Sequence, residues 1–388
     1  MHQPWPVKKS PRRYLRILLF LLVIVLAVVN ATDGRPSDGS HPLAFLVGGL
    51  GPIAGLQLGQ LVTLAVGRAG GYALLGLSLG LGPRLREWRI GGMPFTVRRV
   101  PVPFLAGSWV IADRPGLRAR LWLATAASTG VQLALGLWLV VAGSGAGRYF
   151  GLGLLLLPAL MLTWFAKVPL SAGWVLLRLP FLPADALAPF AATGDELATT
   201  RALRAGRIAE AAALPVPGTG FQGRHLRACL ALARGEYESA LAEAGRATTL
   251  APHSRHGAPA QLLLAAALVG AAETGLLPPA DYLPRLARAV ETARTAQPAL
   301  ARASAAAADL ALLEGRREEA LALARQAVGN APDRLWLAVA ECSHALALAS
   351  LARTADARAA LDRARAAAPD LARIAWVARR IELNVIEA

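Results

Sequence analysis

The sequence predicts an all-α protein in two parts: a multi-pass membrane helix bundle with a short β hairpin in one loop, followed by a cytoplasmic α-solenoid. Three observations predict it. Residues 1–180 hold long apolar runs broken by glycine and proline, whereas residues 195–388 turn to alanine, leucine, arginine and glutamate at helical spacing. Within that second part a glycine-to-proline interval recurs. At 388 residues the chain is long enough for more than one domain. The shifts in composition divide it into an N-terminal apolar helix and outer loop (1–42), a membrane core (43–180), a linker (181–200) and a repeat domain (201–388).

Four segments approach the ~20 apolar residues that cross a hydrocarbon core: Tyr14–Ala31, Leu43–Val66, Ala119–Ala142 and Tyr149–Lys167. The first also has the parts of a signal peptide, with a basic "KKSPRRYLR", an apolar "ILLFLLVIVLAVV" and a small-residue "VNA". An uncleaved anchor is the preferred reading. Either way Lys8, Lys9, Arg12 and Arg13 hold the N-terminus on the cytoplasmic side.

Lysine and arginine number 41 against 25 acidic residues, a formal charge of +16 that invites a nucleic-acid reading. The arginines have a simpler place. Arg84, Arg86, Arg89, Arg98, Arg99, Arg114, Arg118 and Arg120 fall in, or at the edge of, one loop between apolar segments. That is the positive-inside signature of a cytoplasmic loop, so no nucleic-acid partner is expected. The same orientation makes the second half cytoplasmic and the whole a multi-pass protein of the cell membrane. The two cysteines, Cys229 and Cys342, form no CxxC and read as small buried helix residues.

In "GPIAGLQLGQL", Gly51, Gly55 and Gly59 recur every fourth residue. They mark the face along which helix backbones approach closely in lipid. Gln57 and Gln60 lie on the same helix, and unpaired amides cost several kcal/mol in an apolar medium. They must meet protein or water. Gln132, in "STGVQLALG" of the next apolar segment, is the expected partner of a polar cluster with them.

The order of features from Leu43 to Pro180 resembles the site-2 protease family of intramembrane zinc metalloproteases. "LQLGQ", Leu56 to Gln60, occupies the slot of the family's HExxH, often HELGH, with Leu58 and Gly59 matching its middle. "LGLGPRLREWRIGGMPFTVRRVPV" is similar to the family's glycine-rich turn and short strands, which dip toward the membrane. "AASTGVQLALG" sits at its AGPxxN stretch, with Gln132 at the Asn. "WFAKVPLSAGWVLLRLP" sits at the segment bearing the third ligand, with Ala172-Gly173 in the Asp-Gly slot. The departures fall on the chemistry. A catalytic zinc needs two imidazoles, a third ligand and a carboxylate base. Leu56 and Ala172 cannot ligate, Gln57 cannot take a proton near neutral pH, and Gln60 offers only a carbonyl oxygen. The resemblance therefore implies a pseudo-protease without cofactor, not an enzyme. The alternative, an active protease with unusual ligands, would restore zinc. A small permease ranks last, since Lys167 is the one intramembrane-edge charge available to it.

In the second half, "RACLALARGEYESALAEAGRATTLAP" carries Gly235, Tyr237, Ala240, Ala247 and Pro252. "ALLEGRREEALALARQAVGNAP" carries Gly315, Ala320, Ala327 and Pro332 at matching offsets. "ALASLARTADARAALDRARAAAP" repeats the end with Ala357, Ala364 and Pro369, and a weaker copy ends at Ala293 and Pro298. These spacings resemble tetratricopeptide repeats. Stacked repeats expose a concave surface that holds peptides or partner proteins. A last helix, Leu371 to Val385 with Trp376 and Arg379, is expected to cap the stack. His253 and His256 in "PHSRH" lack a third ligand for metal, and His225 and His344 read as ordinary helix-surface or interface residues. The expected partners are the lipid bilayer, a transmembrane or peptide client in the membrane core, and a cytoplasmic protein on the repeats.

Overall fold

The computed structural model describes residues 41–90, 93–183, 187, 190–216, 218–251 and 254–386. The apolar segment Tyr14–Ala31, Pro252 and His253 lie outside them, as do the side chains of His41, Lys167 and His256. The chain forms two compact units. The first takes the chain up to Gly70 and again from Gly116 to Ala184; the second takes Gly71–Pro115 and Asp185–Ala388. The arginine-bearing loop between the apolar segments thus belongs with the helical second half.

In the first unit, α1 (His41–Val66), α2 (Leu117–Ala142) and α3 (Ala146–Thr163) are long and apolar enough to cross a membrane. A short α4 (Ala172–Leu177) packs against α2 and α3. Only 17%, 22% and 33% of the three apolar windows are buried inside the protein. Leu46, Leu50, Ile53 and Leu61 of α1 and Leu123, Leu137, Trp138 and Val141 of α2 are exposed. An apolar surface this wide is a liability in water and the expected outer face in lipid.

The packing of α1 on α3 is a contact between backbones. A Cβ on Gly51 would lie 2.6 Å from the Gly153 Cα, and one on Gly153 would overlap the Gly48 carbonyl oxygen. Each helix also contains a proline, Pro52 and Pro158. A proline lacks the N–H that would bond the carbonyl four residues earlier. Those carbonyls are Gly48 and Leu154, and each faces a glycine of the other helix: Gly153 and Gly55 respectively. At the Gly153 contact only glycine allows an approach that close.

The second unit begins with a hairpin of β1 (Tyr72–Ile90) and β2 (Met93–Ala112), joined by β3 (Ala191–Ala192) parallel to the end of β2. These strands are far longer than the short ones expected. The glycines that suggested a turn bend the strand without ending it. Register shifts cluster between Leu74 and Arg86, where Gly80 and Gly82 have φ of 95° and 84°. Leu77, Ser78 and Leu79 consequently have partners on both sides: Gly107, Ala106 and Leu105 on one, Phe95, Thr96 and Val97 on the other. The hairpin curls back on its own first strand. Arg204 holds it to the helices, donating to the Ser108 Oγ at 2.8 Å.

The helices follow as α5 (Gly194–Arg204), α6 (Ile208–Ala212), α7 (Phe221–Arg234), α8 (Tyr237–Leu250), α9 (Ser254–Glu273) and α10 (Pro279–Ala296). Then come α11 (Pro298–Arg302), α12 (Ala306–Leu313), α13 (Arg317–Asn330), α14 (Arg334–Ser350), α15 (Thr354–Ala367) and α16 (Arg373–Ile386). Part of the expected linker is ordered structure. Thr193 and Glu196 form a capping box, each side chain bonding the other's backbone N–H, and this starts α5 inside residues 181–200.

The pairs α5–α6, α7–α8, α9–α10, α12–α13 and α14–α15 pack as helical hairpins. Each turns at a left-handed residue: Gly206, Gly235, Gly275, Gly315 and Ala352, with φ of 75°, 78°, 72°, 77° and 56°. All five make the same two backbone bonds, such as Gly235 N to Leu232 O at 3.1 Å and Glu236 N to Ala231 O at 2.9 Å. This Schellman closure explains the glycines at 235 and 315 and adds three turns that the sequence did not disclose. Ala240, Ala247, Ala320, Ala327, Ala357 and Ala364 are fully buried, as their spacing required. Tyr237 is buried too, its ring pressed against Gly270 of α9. Pro332 and Pro369 are exposed, beyond the ends of α13 and α15.

Candidate functional site

In the first unit the residues that the sequence singles out can be placed one by one. Leu56 points outward, 37% exposed. Gln57 and Gln60 are half-buried on α1, and the buried Gln60 Oε1 has no hydrogen-bond partner among the described residues. Gln132, only 9% exposed on α2, lies across the glycine face of α1. A Cβ on Gly59 would be 2.5 Å from its Nε2, and one on Gly55 would be 3.7 Å from its Oε1. Gln132 donates to the Ser128 carbonyl at 3.2 Å. The hydroxyls of Ser128 and Thr63 both donate to the Gly59 carbonyl, at 3.2 and 2.8 Å. Gln132 therefore lies beside Gly55 and Gly59 of α1, and the hydroxyls of Ser128 and Thr63 join it there.

Ala172 opens α4, capped by Ser171, whose Oγ accepts from the Trp174 N–H at 3.1 Å and donates to the Phe165 carbonyl. Gly173 beside it presses on the end of α3, against Met161, Leu162 and the following Ala166. The polar groups at the α1–α2 junction are amides, hydroxyls and carbonyls. They can donate and accept hydrogen bonds, but none of them ionises near neutral pH. Among the described residues no three of His, Cys, Asp or Glu gather as a metal centre would need.

The second unit has a charged centre that the sequence reading missed. Arg373, the first residue of α16, is 6% exposed. Its Nε donates to Glu273 of α9 at 2.9 and 3.0 Å, its Nη2 to Asp309 of α12 at 2.9 Å, and its Nη1 to Ser343 of α14 at 2.9 Å. One residue earlier, the Ala372 N–H donates to the Ala233 carbonyl of α7 at 2.9 Å. The head of α16 therefore touches the first helix of four successive hairpins. Burial works against the Arg373 charge, but Asp309 and Glu273 outweigh it and hold the group protonated. Burial raises the Glu273 carboxyl above its usual range, opposed by Arg373. The one sequence signal for this centre was an acid or serine inside a run of small apolar residues, as in "AAAADLALL".

Two further carboxylates sit in arginine clusters. Burial alone would raise Glu243, yet bonds from Arg224 and Arg227 hold it below its usual value. Glu341 behaves likewise, with His344 and Arg363 as partners. Cys229 and Cys342 are buried and pushed up to about 12, mainly by burial, so neither is a nucleophile. His225 stacks on Phe221, with ring centroids 5.8 Å apart, and burial lowers it to about 4.

No protein-family model, curated protein or solved structure matches the chain.

Proposed function

We propose that this chain is a catalytically inactive relative of the site-2 proteases that works by binding. Its apolar helices span the cell membrane and hold a transmembrane or peptide client. Its helical hairpins, stacked as tetratricopeptide-like repeats on the cytoplasmic side, recruit a soluble partner. The observation that carries this reading is the α1 junction. The helix in the zinc-helix position is closely packed through Gly51 and Gly59 onto Gly153 and Gln132, while its slots hold Leu56, Gln57 and Gln60. Such a junction can offer hydrogen bonds to a neighbouring helix without acid, base or ligand. The five repeated hairpin turns support the second half of the reading.

Metal content of the detergent-purified protein, together with cleavage of a helical membrane substrate, tests it. Near-stoichiometric zinc with chelator-sensitive cleavage would overturn the proposal. A folded, metal-free protein that captures a single-pass helix in nanodiscs, less well as the Gln57→Ala, Gln60→Ala double variant, supports it.

A further inference from the structure

We propose that Glu273, Asp309 and Ser343 form an arginine-recognition site, filled in cis by Arg373 and open in trans to a soluble helix that presents arginine at its head. This rests on the reading that the hairpins recruit a soluble partner, and it names the chemistry that partner must carry.

Three helices from successive hairpins, α9, α12 and α14, each send one polar side chain to a single point. All three side chains are more than nine-tenths buried. The planar five-donor fork of a guanidinium meets them on all of its nitrogens, which a lysine ammonium could not do. A core has no need of such a group, since well-packed apolar residues stabilise as much or more. These are the properties of a selective receptor for one side chain.

The position agrees. Stacked repeats create a concave binding surface, and the head of α16 lies against the first helices of four hairpins. Here that surface is occupied by α16 of the same chain. Ile374, Val377 and Ile381 are buried on its inner side, and Arg379, Arg380 and Leu383 face outward. The cis ligand therefore reads as arginine followed by apolar residues one, four and eight places on. This is the anchor spacing of an amphipathic helix laid in a groove. A partner segment with that pattern would compete with α16.

The test uses the full chain in detergent and a fluorescent synthetic peptide of residues 370–386. The Arg373→Ala chain should bind the peptide at least about tenfold more tightly than the unaltered chain does. A peptide with Arg373→Ala should lose that binding, and so should a chain also carrying Glu273→Gln and Asp309→Asn. If the Arg373→Ala chain does not fold, a protease site inserted after the exposed Pro369 and cut in the folded protein replaces it. The cut chain should exchange its own segment for the labelled one. Equal binding of peptides with and without the arginine would overturn the inference, as would a folded, cut chain that never exchanges. Capture of a soluble protein that excess peptide does not displace would also overturn it, while leaving the recruitment reading intact. Arginine-dependent exchange with no captured protein would do the reverse.

Discussion

Both units pack helices through small residues, but not the same small residue. The first uses glycine: Gly51 on Gly153, Gly55 on Leu154, Gly59 on Gln132. The second uses alanine, with Ala240, Ala244, Ala267, Ala320, Ala338, Ala357 and Ala360 fully buried between Leu and Val side chains. Lipid tails are as apolar as leucine, so burying side chains gains little in a bilayer. Helix association there depends on close backbone approach and on bonds to freed carbonyls. In water the same helices gain from every methyl removed from solvent, and glycine adds backbone entropy to be lost except where a close contact such as Tyr237 on Gly270 requires it. Polar groups follow the same division. Those at the first unit's helix contacts bond backbone carbonyls, whereas the second unit buries full charges that bond one another.

The comparison can be broken at four points. Arg373→Ala should have the largest effect, leaving Glu273 and Asp309 buried without their cation. A loss of about 3–5 kcal/mol is expected for breaking a buried pair. Chemical denaturation of the second unit measures it, and replacing Arg373, Glu273 and Asp309 together by Met, Leu and Leu should recover most of it. In the first unit, Gly153→Leu should force α1 off α3 at a cost of about 1–3 kcal/mol from overpacking. Gly55→Ala should be tolerated, since its Cβ would meet the Leu154 side chain at an ordinary 3.4 Å. Thermal stability in detergent separates the two variants.

The third point is pH. His225 lies at about 4 in the folded protein against 6.5 unfolded. The unfolded chain binds the proton more readily, so this contribution is complete above about 6.5 and is lost as pH falls toward about 4. For a half-buried ring, roughly 1–2 kcal/mol should go. Asp333 runs the other way. Burial raises it from 3.8 to about 6, against the pull of Arg204, so its contribution is full below 3.8 and lost as pH rises through about 6. Denaturation midpoints of His225→Phe across that range should fall less steeply on the acid side than those of the unaltered protein. The smallest effect is Ala352→Gly. Ala352 takes the left-handed turn position with a Cβ that glycine lacks, at φ 56°. Relief of that strain, about 1–2 kcal/mol, exceeds the entropy cost of glycine, so a gain of roughly 0.5–1 kcal/mol should appear as a higher Tm. Gly235→Ala should lose a similar amount.

Much of the fold was legible because it is local. The apolar runs announced α1, α2 and α3, and the small residues of α8, α13 and α15 announced the buried helix faces. Other features escaped for physical reasons. The turn at Gly206 is hidden because α6 is only five residues long, that at Gly275 because the apolar "LLPPA" follows it, and that at Ala352 because it is not a glycine at all. The hairpin's length was hidden by Gly80 and Gly82, which look like turn residues and act as bends.

The sequence by itself determined where the apolar helices run, which faces are small or apolar, and that positions 56, 57, 60 and 172 carry no His, Cys, Asp or Glu. These depend on residues within a few turns of one another. Only the tertiary structure decided that a curled hairpin belongs with the helical half, and that one arginine gathers Glu273, Asp309 and Ser343. Those partners lie 100, 64 and 30 residues from Arg373. No local pattern encodes such a meeting, because it arises only when separate hairpins stack and their inner helices converge.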